Sequence, residues 1–170
     1  VAALIWTTTP WTLPANLAIA LHPDFEYSLV RADGSLFILA TDLLAANTEA
    51  AVWNKVETLK TFEGGLLESA HYLHPLTGNQ GLFIIAPHVT LEQGTGLVHT
   101  APGHGAEDFV IGQQYGLEPY APVGDDGRFT SEVPEWAGLH VHEANKPIVE
   151  RLRELGVLIA HSVVSHSYPH

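Results

Sequence analysis

The sequence predicts an α+β domain that is mainly β, with a barrel-like core of short strands and a few flanking helices. Short apolar runs bounded by turn residues outnumber the segments with helical periodicity. Strands and helices do not alternate regularly, which argues against a doubly wound parallel sheet. The chain has 170 residues, of which 46% are hydrophobic and 15% charged, and this size and composition are typical of one folded domain.

Most of the first half of the chain is predicted to be strand. Residues 1–7 form an apolar strand that leads into a loop rich in threonine and proline, residues 7–14. Asp33-Gly34 separates two alternating segments and is typical of a two-residue hairpin turn. A helix capped by Thr41 or Asp42 is expected to run to about Trp53. Strands are expected over residues 26–32, 35–40, 56–62, 66–70, 81–86 and 96–100.

The second half is predicted to carry two longer helices. One covers residues 106–115 and ends at Gly116, and the other covers residues 143–155 and ends at Gly156. Between them, Asp125-Asp126-Gly127 has the composition of a turn. A last strand is expected over residues 157–163.

Composition and charge exclude several classes of function. The formal charge is −12, and the densest basic spot is Lys146, Arg151 and Arg153 on one predicted helix, which argues against independent nucleic-acid binding. No apolar run approaches the ~20 residues that span a bilayer, and no cationic leader precedes an apolar segment, so neither a membrane protein nor a secretory signal is expected. The absence of cysteine excludes a disulfide scaffold, a thiolate zinc site and a cysteine nucleophile. Cytosol is the default location.

The first motif is residues 6–16, WTTTPWTLPAN. Thr7, Thr8, Thr9 and Thr12 place four hydroxyls in a loop that two prolines make rigid. Such a loop suits the orientation of a water molecule or an ester carbonyl without a strong nucleophile. The alternative is a strand end in which threonine serves β propensity.

The second motif is residues 94–108, GTGLVHTAPGHGAED, which leads from a strand into a helix. Asp108 falls in the first turns of that helix, where the helix dipole favours an ionised carboxylate. An ionised Asp108 beside the strand-end His99 could bind a substrate ammonium. The alternative is a capping acid with a packing histidine. A GxGxxG dinucleotide fingerprint fails, because His99 and Asp108 stand where its third glycine would be.

The 11 histidines raise the question of a metal site. His71 and His74 are three residues apart, and His140 and His142 would share one face of a strand. No HExxH motif occurs, so scattered surface histidines are the better interpretation. A serine hydrolase is disfavoured because GxSxG is absent.

Together, the two motifs closely resemble the editing domain of isoleucyl-tRNA synthetase. The resemblance continues through residues 112–116, GQQYG, residues 122–127, PVGDDG, and residues 166–170, HSYPH. It covers essentially the whole chain, and the less matched residues 71–80 are expected to form an ordinary surface loop. The resemblance implies the editing-domain fold of the valine, leucine and isoleucine enzymes. Both ends look cut, so a single editing domain over residues 1–170, excised from a larger synthetase, is expected.

One residue, Thr9, indicates which of the three related synthetases the chain resembles most. The valine and leucine enzymes typically have arginine where this chain has Thr9, which indicates the isoleucine branch. A valyl-tRNA synthetase editing domain that clears threonine is the alternative. The synthetic signatures HIGH and KMSKS are absent, so the chain itself is not expected to activate isoleucine.

What the resemblance implies is hydrolysis of mischarged valyl-tRNA(Ile), and of valyl-adenylate as a further substrate. Asp108 matches the residue that holds the amino acid's α-ammonium, and His99 and Thr12 match those that exclude isoleucine by size. Trp11 is expected to wall the same pocket. The positions that orient the terminal adenosine, the ester and the water are Thr7, Thr8, Thr9 and Asn16.

The implied partners are the 3′ end of mischarged tRNA(Ile) and the remainder of the synthetase, with weak tRNA binding by this chain alone. No cofactor is expected for editing, since ATP and zinc belong to other parts of the parent enzyme. Two other classes of function remain open: a module that binds an aminoacyl-nucleoside without cleaving it, and a metal-dependent hydrolase.

Overall fold

The computed structural model describes residues 1–163, so the matched segment 166–170 lies outside the described residues. Eight strands form two sheets of four, and together with a few helices this confirms the predicted α+β fold class. In the first sheet the order is β1 (Ala2–Ala3), β4 (Ser35–Ala40), β3 (Glu26–Ala32) and β5 (Val56–Glu63). In the second it is β6 (His71–Leu73), β7 (Gln80–Ile85), β2 (Ala18–Leu21) and β8 (Val98–Thr100).

Both sheets mix parallel and antiparallel pairs. β1 pairs parallel to β4 and β2 pairs parallel to β7, while the other four pairs are antiparallel. Side chains from the two sheets share one buried core, which includes Leu21, Tyr27, Leu39, Phe83 and Leu97. The shared core gives the barrel-like arrangement that the sequence predicts.

Helices and single turns close the ends of this core. The α-helices are α1 (Leu44–Ala50), α2 (Ala106–Gln114) and α3 (Val141–Glu154), and 3-10 helices cover Pro10–Ala15, Thr41–Leu43 and Gly64–Leu67. The buried face of α3 packs in a second core with Leu13 and Trp136. Because Leu13 lies in the first 3-10 helix, α3 supports the threonine- and proline-rich loop from behind.

Several predicted elements are confirmed with shifted ends. The hairpin turns at Asp33-Gly34, where both residues have positive φ, 45° and 90°. Gly116 and Gly156 follow α2 and α3 with φ of +69° and +71°. The helix predicted from residue 41 begins as a 3-10 turn without a side-chain cap, and α1 ends at Ala50, short of Trp53.

Two predicted strands are wrong. Leu66 and Leu67 are the last two residues of the Gly64–Leu67 3-10 helix, residues 68–70 follow it as a turn, and the strand begins only at His71. The expected surface loop at residues 71–80 therefore starts as β6. Residues 157–163 form no strand, because the amides of Val157 and Leu158 bond back to the carbonyl of Leu152 as the helix ends.

The sequence analysis also misses β2, the second-sheet strand between β7 and β8. Its four residues, AIAL, are all buried. Two of them are alanines, which have weak β propensity, and a strand covered on both faces shows no alternation. Sheet pairing therefore decides its conformation.

Gly96, in the second motif, brings the motif against the first sheet. Its φ is +78°, and a Cβ there would overlap the Cβ of the fully buried Ala40. The carbonyl of Gly96 accepts from the Tyr27 hydroxyl at 2.7 Å, and the Ala40 amide donates to the Thr95 carbonyl at 2.8 Å. This close approach joins β8 to the hairpin of β3 and β4.

We expect Gly96→Ala to lower the free energy of unfolding by about 2–4 kcal/mol, because left-handed backbone and overpacking both cost energy. Gly34→Ala is the matched control, since Gly34 also has positive φ but nothing lies within 4 Å of its missing Cβ. That control is expected to lose about 1 kcal/mol. Urea unfolding of both variants measures the difference, and equal losses would show that contact with Ala40 costs nothing.

Candidate functional site

The two motifs meet in a cavity of about 230 Å³. Its floor and walls come from the loop at residues 7–12, from β8 and the turn after it, and from the start of α2. The lining residues are Thr7, Thr9, Trp11, Thr12, His99, Ala101, His104 and Asp108. Six of the eight residues that the sequence singles out therefore line one cavity.

The loop is held in place by bonds at several points. The amide of Thr9 donates to the Thr7 hydroxyl at 3.0 Å, which closes a tight turn before Pro10. The amide of Trp11 donates to Asn145 Oδ1 of α3 at 2.9 Å. Behind the loop, the buried ring of His74 bonds the Leu13 carbonyl through Nε2 at 2.8 Å. The loop thus has a fixed shape although it joins neither sheet as a strand.

His99 is buried between two residues of the first motif, Thr12 and Asn16. Its Nε2 lies 2.9 Å from Thr12 Oγ1, and its Nδ1 lies 2.8 Å from Asn16 Nδ2. Burial lowers the pKa of His99 to about 4, with a smaller contribution from the nearby His74 and His104. At neutral pH the imidazole is therefore uncharged.

Asp108 stands in the first turn of α2, at the end of the second motif. Its Oδ2 accepts from the amide of Ala101 at 2.9 Å. Burial raises the pKa of Asp108, and its bond to Ala101 opposes that rise in part. Within residues 1–163 no Lys, Arg or His side chain lies within 4.0 Å of this carboxylate. A half-buried carboxylate without a cation beside it favours binding of a cationic group from a ligand.

His104 was part of the second motif but received no role from the sequence. Its ring meets that of Trp11 edge to face, with centroids 4.9 Å apart. In the described part of the chain its Nε2 is buried without a hydrogen-bond partner. Burial also lowers its pKa. The sequence feature that could have singled out His104 is its position between two glycines, Gly103 and Gly105, at a strand-to-helix turn.

A second cavity of about 410 Å³ adjoins the first and shares Thr7 and His99 with it. Thr8, the seventh predicted residue, lines this larger cavity together with Trp6, His88, Gln93 and Glu107, which the sequence analysis does not assign. Asn16, the eighth, lines neither cavity and lies behind His99. The roles given to all eight residues stay predictions.

The histidine pairs raised as metal ligands are separated by the fold. His74 is buried and His71 is exposed, so the interpretation as surface residues is wrong for His74. His140 caps α3 and His142 lies within it, so no strand carries them. Over residues 1–163, no three His, Asp or Glu side chains are grouped to hold a metal ion.

No helix among the described residues has the length and apolar character to cross a bilayer.

Known proteins resemble the chain in sequence and in fold. The isoleucine–tRNA ligase of Persephonella marina is 52% identical over 171 residues, which takes in all of this chain and 18% of that protein. Those of Brevibacillus brevis and Bacillus cereus (strain AH187) are 50% and 47% identical over 167 residues, again 18% of each protein. The crystal structure of GlLeuRS-CP1 superposes with a TM-score of 0.72 at 16% identity, covering 99% of this chain and 83% of that one. No protein-family model matches.

The sequence matches define the chain as part of an aminoacyl-tRNA synthetase, and its fold is the one seen in GlLeuRS-CP1. Within that class, the chain belongs to the isoleucine–tRNA ligase family. It spans less than a fifth of the length of the relatives it matches, 18%. The resemblance inferred from the two motifs is confirmed.

The lowered pKa of His99 predicts an acid-sensitive fold. Between the ordinary value of 6.5 and the folded value of about 4, the unfolded chain binds a proton at His99 that the folded chain does not. The stabilising contribution of the neutral His99 side chain to the free energy of unfolding is complete above pH 6.5. It falls by about 3 kcal/mol as the pH drops to about 4. Asp108, with its raised pKa, acts in the opposite direction.

Urea unfolding across this pH range measures the loss of stability, and NMR titration of the His99 ring measures its pKa directly. The outcome that would contradict the buried, uncharged imidazole is a His99 ring that titrates near 6.5.

Proposed function

We propose that this chain is the part of an isoleucine–tRNA ligase that hydrolyses valine wrongly esterified to tRNA(Ile). The observation that carries the proposal is Asp108, a half-buried carboxylate at the smaller cavity with no cation within 4.0 Å among the described residues. An aminoacyl ester carries an α-ammonium, and a charge-assisted bond to Asp108 would fix its orientation. The carboxylate then places the rest of the ester relative to the threonine loop.

The sizes of the two cavities suit the two halves of the substrate. Drug-sized ligands usually occupy about 300–1,000 Å³. The smaller cavity, about 230 Å³, fits one small amino acid, and the larger, about 410 Å³, fits the terminal adenosine. Thr7 and His99 line both cavities, so the ester bond would lie beside them.

His99 and Thr12 supply the limit on side-chain size. Both are buried, and the bond of 2.9 Å between them holds their side chains together at the cavity wall. A pocket can exclude one additional methylene by overpacking. A synthetic site that must accept isoleucine distinguishes it from valine only about 150-fold, and this figure comes from isoleucyl-tRNA synthetase itself. A second pocket that admits valine and excludes isoleucine reverses the preference of the first.

The hydrolysis needs no covalent intermediate. The ester is an activated acyl group, so a water oxygen adds to its carbonyl carbon and the bond to the ribose oxygen breaks, which releases valine and the free 3′ end of the tRNA. Hydroxyls of Thr7, Thr8 and Thr9 would orient the water and the carbonyl. Valyl-adenylate presents the same ammonium and a similarly activated carbonyl.

The remainder of the ligase would hold the tRNA. The net charge is −12, and the basic spot on α3 is partly neutralised because Arg151 pairs with Glu135 at 3.2 Å and Glu154 at 3.4 Å. This chain alone would therefore bind tRNA weakly. ATP and zinc would serve other parts of the same cytoplasmic enzyme, and editing itself would use neither.

Binding of non-hydrolysable valyl- and isoleucyl-adenosine analogues tests the function. Isothermal titration of the 170-residue chain should show binding of the valyl analogue and about 5- to 150-fold weaker binding of the isoleucyl one, because overpacking costs about 1–3 kcal/mol. Equal affinities would contradict the size limit. Binding of neither analogue would contradict the proposed function.

The charge of Asp108 has its own test. Asp108→Asn keeps the shape and an oxygen that accepts from Ala101, but it removes the negative charge. We expect the affinity for the valyl analogue to fall about 10- to 100-fold, the usual effect of losing a charge-assisted bond.

Glu118→Gln is the control for this charge, since it removes one charge from an exposed side chain that lines neither cavity. Its affinity should match that of the wild type. An equal loss in both variants would attribute the effect to overall charge and would remove the role of Asp108.

A further inference from the structure

A chain of hydrogen bonds crosses the whole second sheet and ends at the cavity. It begins at Tyr72 on β6, whose hydroxyl donates to Asn16 Oδ1. Asn16, just before β2, contacts His99 Nδ1 on β8 at 2.8 Å. His99 Nε2 in turn contacts Thr12 Oγ1 at 2.9 Å. Tyr72 lies in the stretch that the sequence analysis expects to be a surface loop, and it lines neither cavity.

The positions of the protons in this chain follow from two carbonyls, which can only accept. Asn16 Nδ2 lies 2.9 Å from the Ala18 carbonyl, so the amide nitrogen of Asn16 must be on this side. Its second N–H points to His99 Nδ1, which therefore accepts. A neutral imidazole then carries its proton on Nε2 and donates it to Thr12, whose hydroxyl donates to the Thr9 carbonyl at 2.9 Å.

This arrangement holds His99 and Thr12 on both sides. Neither ring nitrogen of His99 is left for a proton transfer, because one carries a proton and the other accepts from Asn16. A pocket wall can exclude one additional methylene only if its side chains cannot move aside. If they move, the extra methylene is accommodated and the energetic cost of overpacking falls. Tyr72 completes the chain because its hydroxyl donates to Asn16 Oδ1. Without this hydrogen bond, the side-chain amide of Asn16 has one fewer bond to hold its orientation.

Gly81 leaves the space through which Tyr72 reaches Asn16. The two residues are paired across β6 and β7, and a Cβ at Gly81 would overlap the Tyr72 ring at Cζ and at the hydroxyl. Gly81 has no left-handed φ, so an alanine there meets only the ring and no backbone strain. The ring therefore crosses β7 at a residue with no side chain.

We propose that Tyr72, lying over Gly81, is a positioning residue that holds Asn16, His99 and Thr12 rigid and so sets the size limit of the amino-acid pocket. This inference rests on the proposed function, because the size limit presupposes an aminoacyl ligand.

Tyr72→Phe removes the hydroxyl and keeps the ring over Gly81. The measured quantity is the ratio of the dissociation constants of the isoleucyl- and valyl-adenosine analogues in the 170-residue chain. We expect this ratio to fall about fivefold, because a neutral hydrogen bond contributes about 1 kcal/mol. Tyr115→Phe is the matched control, since its hydroxyl donates to Glu68 at 2.7 Å and accepts from the Ile85 amide at 2.9 Å, away from the cavity, and its ratio should not change.

Gly81→Ala tests the same chain without altering any hydrogen-bonding group. It should displace the Tyr72 ring and lower the ratio to a similar extent. In a Tyr72→Ala background the same change should have no further effect on the ratio, because the ring that the new methyl would overlap is gone. Additive effects of the two changes would overturn the argument from Gly81.

Nitrogen NMR of the His99 ring separates this inference from the proposed function, because it needs no ligand. The wild type should show the Nε2–H tautomer, and Tyr72→Phe should show a second tautomer or exchange broadening. An unchanged ring signal would overturn the positioning role, as would a loss of affinity that is equal for the two analogues. A wild-type chain that binds neither analogue would overturn the proposed function, and the size limit with it.

Discussion

A buried, uncharged imidazole joins the two motifs of this protein. His99 contacts Thr12 and Asn16 through its two ring nitrogens, so one side chain of β8 bonds both the middle of the 3-10 helix at Pro10–Ala15 and the residue that caps its C-terminal end. That loop is not a strand of either sheet, and its position depends on side-chain bonds of this kind. A charged His99 would place an uncompensated cation in the interior, which explains why its environment favours the neutral ring so strongly.

The carboxylate across the cavity has the opposite character. Asp108 is half-buried and bonded only to the Ala101 amide among the described residues, so its charged form is not fully compensated by the protein. A site of this kind lowers stability locally and favours a cationic ligand, a compromise that is frequent in functional sites. In the proposed function these two titratable groups have different roles: His99 forms part of the pocket wall, and Asp108 supplies the negative charge.

Close packing between the sheets brings these groups within reach of one cavity. Gly96 meets Ala40 without a side chain between them, and Gly81 lets the Tyr72 ring pass over β7. α3 supports the loop from the far side through Asn145. Each contact involves residues far apart in the chain, so the cavity exists only in the complete fold.

The amino-acid sequence alone determined what depends on local chemistry. Asp33-Gly34 set the hairpin because both positions need positive φ, and the glycines after α2 and α3 ended those helices for the same reason. The two motifs identified the family and six of the residues that line the smaller cavity, because hydroxyls, histidine and aspartate at strand and helix ends are visible without a structure.

Only the tertiary structure decided the features that depend on pairing at long range. β2 is a strand because β7 and β8 flank it. Residues 157–163 are not a strand because the amides of Val157 and Leu158 bond back to the carbonyl of Leu152. Tyr72 reaches Asn16 because the sheet brings together residues 56 positions apart. Burial, which makes His99 neutral and leaves Asp108 partly uncompensated, is likewise a property of the whole fold.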